Sequence, residues 1–526
     1  MINSTLFEKH AHSAMLLLCI IAVVIFKIPH LNLPFFWDEA WVYAPAVKLM
    51  GEGVPSLMPD SIPVNFTRGH PLLFHFLASS WLKIFGESNS SLHSFALLVS
   101  VFLLLAVYYF GKNIFNKDVA IAATVLLSVQ SVFLAQASFL LPEILLSLFV
   151  ILTIYYFLKG RKIGYVISGS ALILTKEPGI ILIASLSLWL IIDVLLIKKD
   201  KINWLALFKE LSILSLPVLL SSIYFIVQWK KTGWFFYPEH IGMIDFSYQS
   251  FHRNFRIIYN FIFEEQGRRV LTIGFVIIFL LFYKPISFKW RVFLSFSMLS
   301  CVKIFFGAWK LPPALTLSVC GLIIILLFYF ICVKKYSEKF SIAEKAICVF
   351  FIFFFLFMLF SSVNFLSNRY LLCLMPLYAL AILYFVFISF SQEKWLFITI
   401  SVLAIFFSAY KSADIKRSGD NDLSYINVIA LQKSVIGFME DNDLYDENIH
   451  ATFLNVFEMT SPYSGLLKSE KRFTMVSDDL TDSTEYAIIT NFQVDDFYDS
   501  IPKSSKFSEI KKFENERFWA KIYKKK

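Results

Sequence analysis

Charge is the scarcest commodity in this sequence. Only 17% of its 526 residues are charged, against 57% hydrophobic, and mean hydropathy is +0.66. That excludes an ordinary soluble domain; repeated apolar stretches of about 20 residues indicate a polytopic helical membrane protein. Cysteine chemistry is missing too. Cys19, Cys301, Cys320, Cys332, Cys348 and Cys373 lie in or beside apolar runs and form no CxxC pair. They read as small buried hydrophobes, with no disulfide framework and no zinc site. The first apolar run, Ala14 to Ile28, has no small-x-small cleavage site before Pro29, so it is expected to be a retained span. There is no internal repeat, no low-complexity segment and no pair of related halves such as many transporters show. The 59 Phe supply lipid-facing and packing surface and carry no catalytic meaning.

The formal net charge of +9 does not point to nucleic acid. From Ser412 to Lys526 there are 15 Lys and Arg against 20 Asp and Glu, which leaves 33 against 19 in the rest of the chain. The basic excess therefore belongs to the apolar part, in its short loops, as the positive-inside rule requires.

Hydropathy predicts about thirteen spans. They run over residues 13–31, 92–111, 119–137, 141–158, 163–177, 179–197, 211–229, 270–283, 292–308, 314–333, 346–362, 370–390 and 395–411. The basic loops 112–117, 159–162, 198–201, 284–291, 334–345 and 392–394 all fall on one side if the N-terminus is cytoplasmic. The alternate connections 138–140, 310–313 and 364–369 are short and poor in Lys. This topology places a first loop (31–91), a second loop (230–269) and the tail outside. Residues 1–411 are thus expected to form an all-α transmembrane domain, and 412–526 a small extracytoplasmic α/β domain. In the first loop, Ala40–Gly51 and Pro71–Phe85 have the spacing of amphipathic helices on the outer interface. In the tail, 486–489 and 518–523 alternate like strands.

Against this apolar background four features stand on the outer side. Asp38-Glu39 follows the first span inside the aromatic stretch Phe35–Tyr43. Arg68-Gly69-His70-Pro71 opens the second interfacial helix. Glu143 follows Leu141-Pro142 at the mouth of span four, and Arg369-Tyr370 opens span twelve. Lys176-Glu177-Pro178 sits in a turn between spans five and six. Each has a plain alternative. Asp38-Glu39 are solvated acids in an aromatic belt, Glu143 is a helix-start acid, and Arg369 is an interfacial anchor. His70 merely starts a helix, and Lys176 pairs with Glu177. Convergence on one membrane face is what favours chemistry, since acids serve as base or metal ligand and Arg and Lys neutralise phosphate.

These motifs, in this order, are similar to those of the GT-C superfamily of polytopic glycosyltransferases. Within it the chain most resembles protein O-mannosyltransferases and the bacterial lipid A aminoarabinose transferases. The resemblance runs from Ala14 to about Phe390 and is strongest over the first 200 residues. It rests on Trp37-Asp38-Glu39-Ala40, Gly69-His70-Pro71-Leu72-Leu73, Leu141-Pro142-Glu143, Leu174-Thr175-Lys176-Glu177-Pro178 and Arg369-Tyr370-Leu371-Leu372. Leu72 stands where the family often has a second Pro, Glu143 where Asp is common, and Glu177 where Gly is common.

The resemblance implies a sugar donor on a polyprenyl phosphate, an envelope lipid, glycan or protein acceptor, and a bacterial inner-membrane enzyme working on the outer face. Asp38 would be the general base, because a carboxylate in a partly dry pocket can take a proton from an acceptor hydroxyl. Glu39 would orient the acceptor or bind the sugar. Arg369 and Lys176, with His70 and Arg68 as secondary candidates, would meet the lipid phosphate. Glu143, Tyr43 and Tyr370 complete the substrate-binding candidates. No cofactor is implied. Asp38, His70 and Glu143 are left as a set that would take a divalent cation if they meet. Trp234 to Arg269, with Arg253, Arg256, Arg268 and Arg269, would cover the cavity, bind a phosphate-bearing acceptor or simply pack. A transporter or flippase of lipid-linked intermediates is the alternative; it would place its charges at mid-membrane.

Overall fold

The computed structural model describes residues 4–194, 203–284, 287–305, 340–413, 419–469, 471–493 and 500–526. The span expected at 314–333, the turn at 310–313 and the basic loop at 198–201 lie outside the described residues. The chain is mostly helical with a small C-terminal sheet.

Among the described residues helices lie in the other expected spans, 195–197 and 306–308 being outside them, and most begin or end where the local chemistry dictates. Asn116 and Asn203 accept from the backbone N–H groups of Val119 and Ala206, capping Lys117–Ser128 and Trp204–Thr232. Ser341 and Glu344 form a reciprocal capping box for Ile342–Ser362. Among the described residues six helices are long and apolar enough to cross a membrane, which makes this a multi-pass membrane protein: His10–His30, Asn89–Ile114, Trp204–Thr232, Ile342–Ser362, Asn368–Ser389 and Lys394–Ser412. Glu143–Leu158, Lys162–Thr175 and Glu177–Ile192 are apolar but shorter. At 1.5 Å per residue, helices of this length fall short of the roughly 30 Å hydrocarbon core.

Two expected spans differ in detail. The one over 119–137 is two helices, Lys117–Ser128 and Ser131–Gln136, because the first closes on a tight turn from Gln130 N–H to Leu127 O. The one over 370–390 begins as a 3-10 run, Asn368–Leu374, before the α-helix Met375–Ser389. Pro376, which lacks an N–H and fits only the first turn, marks the change.

The chain divides into two compact units. The first comprises Met1–Ile21, Val101–Gln130 and Glu143–Ser412. In it, Glu143–Leu158 packs against Lys162–Thr175 and against the 3-10 run Asn368–Leu374. Helices Asn89–Ile114 and Lys117–Ser128 approach so closely that a Cβ on Gly111 would lie 2.8 Å from Ala120 Cα.

The second unit comprises Ala22–Ser100, Ser131–Pro142 and Ala413–Lys526, so the tail folds with the first outer loop. Both expected loop helices form, as a π-helical turn Glu39–Tyr43 continued by Ala44–Glu52, and as Leu73–Phe85. Among the described tail residues five strands form one sheet: β1 (Ile449–His450), β2 (Val476–Ser477), β3 (Tyr486–Thr490), β4 (Phe507–Asn515) and β5 (Phe518–Lys525). The order is β2-β1-β3-β5-β4, parallel among the first three and antiparallel from β3 onward. β3 is buried throughout, as its unbroken Tyr-Ala-Ile-Ile-Thr run requires. Phe36, Phe139 and Tyr425 join the three pieces of this unit, with ring centroids 4.6 to 6.2 Å apart. Phe35 N–H donates to Ser464 O at 3.0 Å, and Gln136 Nε2 to Asp420 O at 2.7 Å.

Candidate active site: two charged clusters

The first unit holds a buried cluster of one acid and two cations. Glu143 opens its helix directly after Pro142. Lys176 is an extended residue (φ −163°) between Lys162–Thr175 and the short turn Glu177–Gly179. Gly179 is required there, since a Cβ would meet the Leu172 carbonyl at 2.9 Å. Arg369 lies on the 3-10 run. Packing of these three elements brings Lys176 Nζ to 2.9 Å from Glu143 Oε1, and Arg369 Nε to 3.5 Å from the same oxygen. Tyr370 closes the group: Lys176 Nζ stands 3.8 Å from its ring centroid and the Arg369 guanidinium 5.2 Å. Exposure is 2% for Glu143, 6% for Lys176 and 5% for Arg369.

This geometry settles two alternatives. Lys176 makes its short ion pair with Glu143, 33 positions away, not with its neighbour Glu177. Glu143 is both a helix-start acid and a charge partner. Burying ions is costly unless they are paired. Two cations thus share Glu143 Oε1, while Glu143 Oε2 is buried without a hydrogen-bond donor.

The second unit holds the acid pair, and its two members are used differently. Trp37 has a left-handed backbone (φ +49°), rare for a bulky side chain, and Glu39–Tyr43 is a π-turn. Such features concentrate at functional sites. Together they turn Glu39 inward and leave Asp38 part-exposed. Asp38 Oδ1 accepts from Trp41 Nε1 at 3.0 Å. Glu39 is 0% exposed. Its carboxylate accepts from Phe36 N–H at 3.1 Å and from Leu140 N–H, and His93 Nε2 lies 3.3 Å away. In this structure its oxygens hold backbone N–H groups of Phe36 and Leu140 and present no surface.

Arg68 and His70 follow the short helix Val64–Thr67. Arg68 is also left-handed (φ +48°), and its guanidinium lies 5.3 Å from the Trp41 ring centroid. Tyr43 is buried and stacks on His75 at 5.3 Å. Burial, with the nearby His70, pushes the His75 imidazole down to about 3, so this ring is neutral at physiological pH. Asp38 and His70 belong to the second unit and Glu143 to the first. Among the described residues no group of three or more His, Cys, Asp or Glu is placed to hold a metal ion.

Of the alternatives for the second loop, Arg268 takes the packing one: it is fully buried and donates to Phe261 O and to Gln130 Oε1 at 3.0 Å. Arg269 reaches Glu264 Oε2 at 2.5 Å. Sequence reasoning missed three residues. Lys27 is wholly buried in the second unit, donates to Tyr425 Oη at 2.9 Å and lies in the field of Glu39. Its signal was a lone Lys near the end of an apolar run. His75 and His93 were hidden as single polar residues in apolar helices.

Residues 69–221 match the family described as dolichyl-phosphate-mannose-protein mannosyltransferase. No curated protein matches the chain. Among solved structures, ArnT from Cupriavidus metallidurans bound to undecaprenyl phosphate is similar over 96% of this chain and 97% of that one, at 12% identity and a TM-score of 0.48. The oligosaccharyltransferase AglB from Archaeoglobus fulgidus, in complex with an inhibitory peptide and a dolichol-phosphate, is similar over 92% of this chain and 69% of that one, at 14% identity and a TM-score of 0.46. The family match supports the expected resemblance to GT-C enzymes over residues 69–221. That match takes in His70, Glu143 and Lys176 and leaves Asp38 and Arg369 outside it.

Proposed function

We propose that this glycosyltransferase moves a sugar from a polyprenyl-phosphate donor to an envelope lipid, glycan or protein acceptor on the outer face of a bacterial inner membrane. The N-terminus is cytoplasmic and the C-terminal sheet domain extracytoplasmic. The observation that supports the reading is the buried Glu143–Lys176–Arg369 cluster, whose two cations converge from separate elements and would meet a lipid phosphate. Asp38, the part-exposed acid of the pair, takes the proton from the acceptor hydroxyl as its oxygen bonds to the anomeric carbon. The bond from that carbon to the phosphate oxygen breaks in the same displacement, with inversion. Lys176 and Arg369 stabilise the charge left on the departing polyprenyl phosphate. Glu143 fixes both cations, and Glu39 fixes the turn beneath Asp38. A divalent cation is an optional addition, which activity in the presence of a chelator tests directly.

The test is mass spectrometry of envelope glycolipids and glycans from cells with and without the protein, and from cells carrying Asp38→Asn. A sugar modification that depends on the wild-type chain and is absent in the variant is expected. An unchanged envelope in the deletion strain, or full modification by Asp38→Asn, contradicts the proposal.

A further inference from the structure

The tail's helix Phe453–Thr460 packs against the π-turn Glu39–Tyr43, within the second unit. The contact is aromatic. The Trp41 ring lies 5.4 Å from Phe453, edge-on at 82°, and 5.5 Å from Phe457 at 35°; Phe453 and Phe457 are 5.0 Å apart. The same indole makes the 3.0 Å hydrogen bond to Asp38 Oδ1 and lies under the Arg68 guanidinium. The turn it belongs to begins after a left-handed Trp37, and Arg68 is left-handed as well. Such backbone persists only where surrounding packing over-determines it. Among the described residues the rings packed on this indole, Phe453 and Phe457, both come from the tail helix.

We propose that the C-terminal domain is a positioning element for the transfer reaction: Phe457, with Phe453 beside it, fixes the Trp41 indole, and Trp41 aims the Asp38 carboxylate. This rests on the reading of Asp38 as the base. Phe457 touches no reacting atom and acts only through Trp41. A base displaced by about 1 Å costs on the order of a hundredfold in rate, so loosening the indole should be felt in turnover and not in donor binding.

The experiment uses the full-length protein. Sugar transfer is followed in membranes of a deletion strain complemented with each variant, and binding of a polyprenyl phosphate is measured on the solubilised protein. Phe457→Ala should lower transfer roughly 10- to 100-fold with polyprenyl phosphate binding unchanged. Phe457→Tyr, which keeps the ring, should restore transfer. Trp41→Phe removes the N–H donor and should cause a similar loss, and adding Phe457→Ala to it should cost little more. Full transfer by Phe457→Ala, a parallel loss of polyprenyl phosphate binding, or losses that multiply in the double variant would overturn the inference. Full transfer by Asp38→Asn would remove the base reading and the inference with it. An inactive Asp38→Asn beside a fully active Phe457→Ala would sink the inference alone.

Discussion

The two charged clusters are built on opposite principles. In the first unit Glu143, Lys176 and Arg369 come from three elements far apart in sequence, are all nearly buried, and carry more positive than negative charge. In the second, two acids sit side by side in sequence and are split by a strained turn into one buried and one part-exposed carboxylate. In the proposed reaction the first arrangement would meet the phosphate and the second would present the Asp38 carboxylate. The difference separates the leaving-group side of the proposed reaction from the proton-accepting side, and it predicts that substitutions in the two clusters fail in different ways.

The largest effect is expected at Asp38. Asp38→Asn should cut transfer by about 10²- to 10⁴-fold, the range of a lost general base, with polyprenyl phosphate binding intact. Lys176→Ala breaks a buried pair, which costs on the order of 3–5 kcal/mol of stability. Thermal unfolding in detergent should register it, and adding Glu143→Gln to Lys176→Ala should deepen the loss, because the buried Arg369 then loses the carboxylate it shares with Lys176. Glu39→Gln should cost about 1–3 kcal/mol in the same measurement, since it weakens acceptors for two backbone N–H groups, and should reduce transfer far less than Asp38→Asn. Equal losses at Asp38 and Glu39 would erase the distinction drawn between them.

The smallest effect concerns Glu458, fully buried in the tail helix with Gln432 Nε2 at 2.8 Å. Burial holds its carboxyl well above the usual range, so it stays protonated in the fold. The unfolded chain releases that proton near the ordinary glutamate value, so this group's stability contribution is full below it and is lost as pH rises toward the raised folded value. Glu458→Gln should therefore match the wild-type melting temperature at about pH 4 and exceed it increasingly toward neutral pH, the unfolded carboxyl titrating near 4.3. A melting difference independent of pH would contradict the protonated state.

Much of the architecture was legible in the sequence because hydropathy is a local property. The helix positions follow from apolar runs and a period of 3.6, and the strand at 518–525 largely from a period of 2, whereas the strand at 486–490 does not alternate but is buried throughout. The charged residues of both clusters were also legible, since polar groups stand out in an apolar chain. Their partners were not. Nothing local distinguishes Glu143 from Glu177 as the partner of Lys176; only the packing of distant elements does. Nothing in Asp38-Glu39 says which acid turns inward, because that depends on a left-handed Trp37 and a π-turn. The grouping of the tail with the first loop was hidden for the same reason. Its signal was faint: Phe453 and Phe457, four positions apart on a short helix, form an aromatic pair that needs something to pack against.

The division of labour between the clusters is tested most directly by titrating a polyprenyl phosphate against the solubilised full-length protein in three forms. Asp38→Asn should bind as the wild type does. Arg369→Ala should bind about 10- to 100-fold more weakly, the equivalent of losing a hydrogen bond to a charged group worth roughly 1.5–3 kcal/mol. Unchanged binding by Arg369→Ala together with weakened binding by Asp38→Asn would contradict the account.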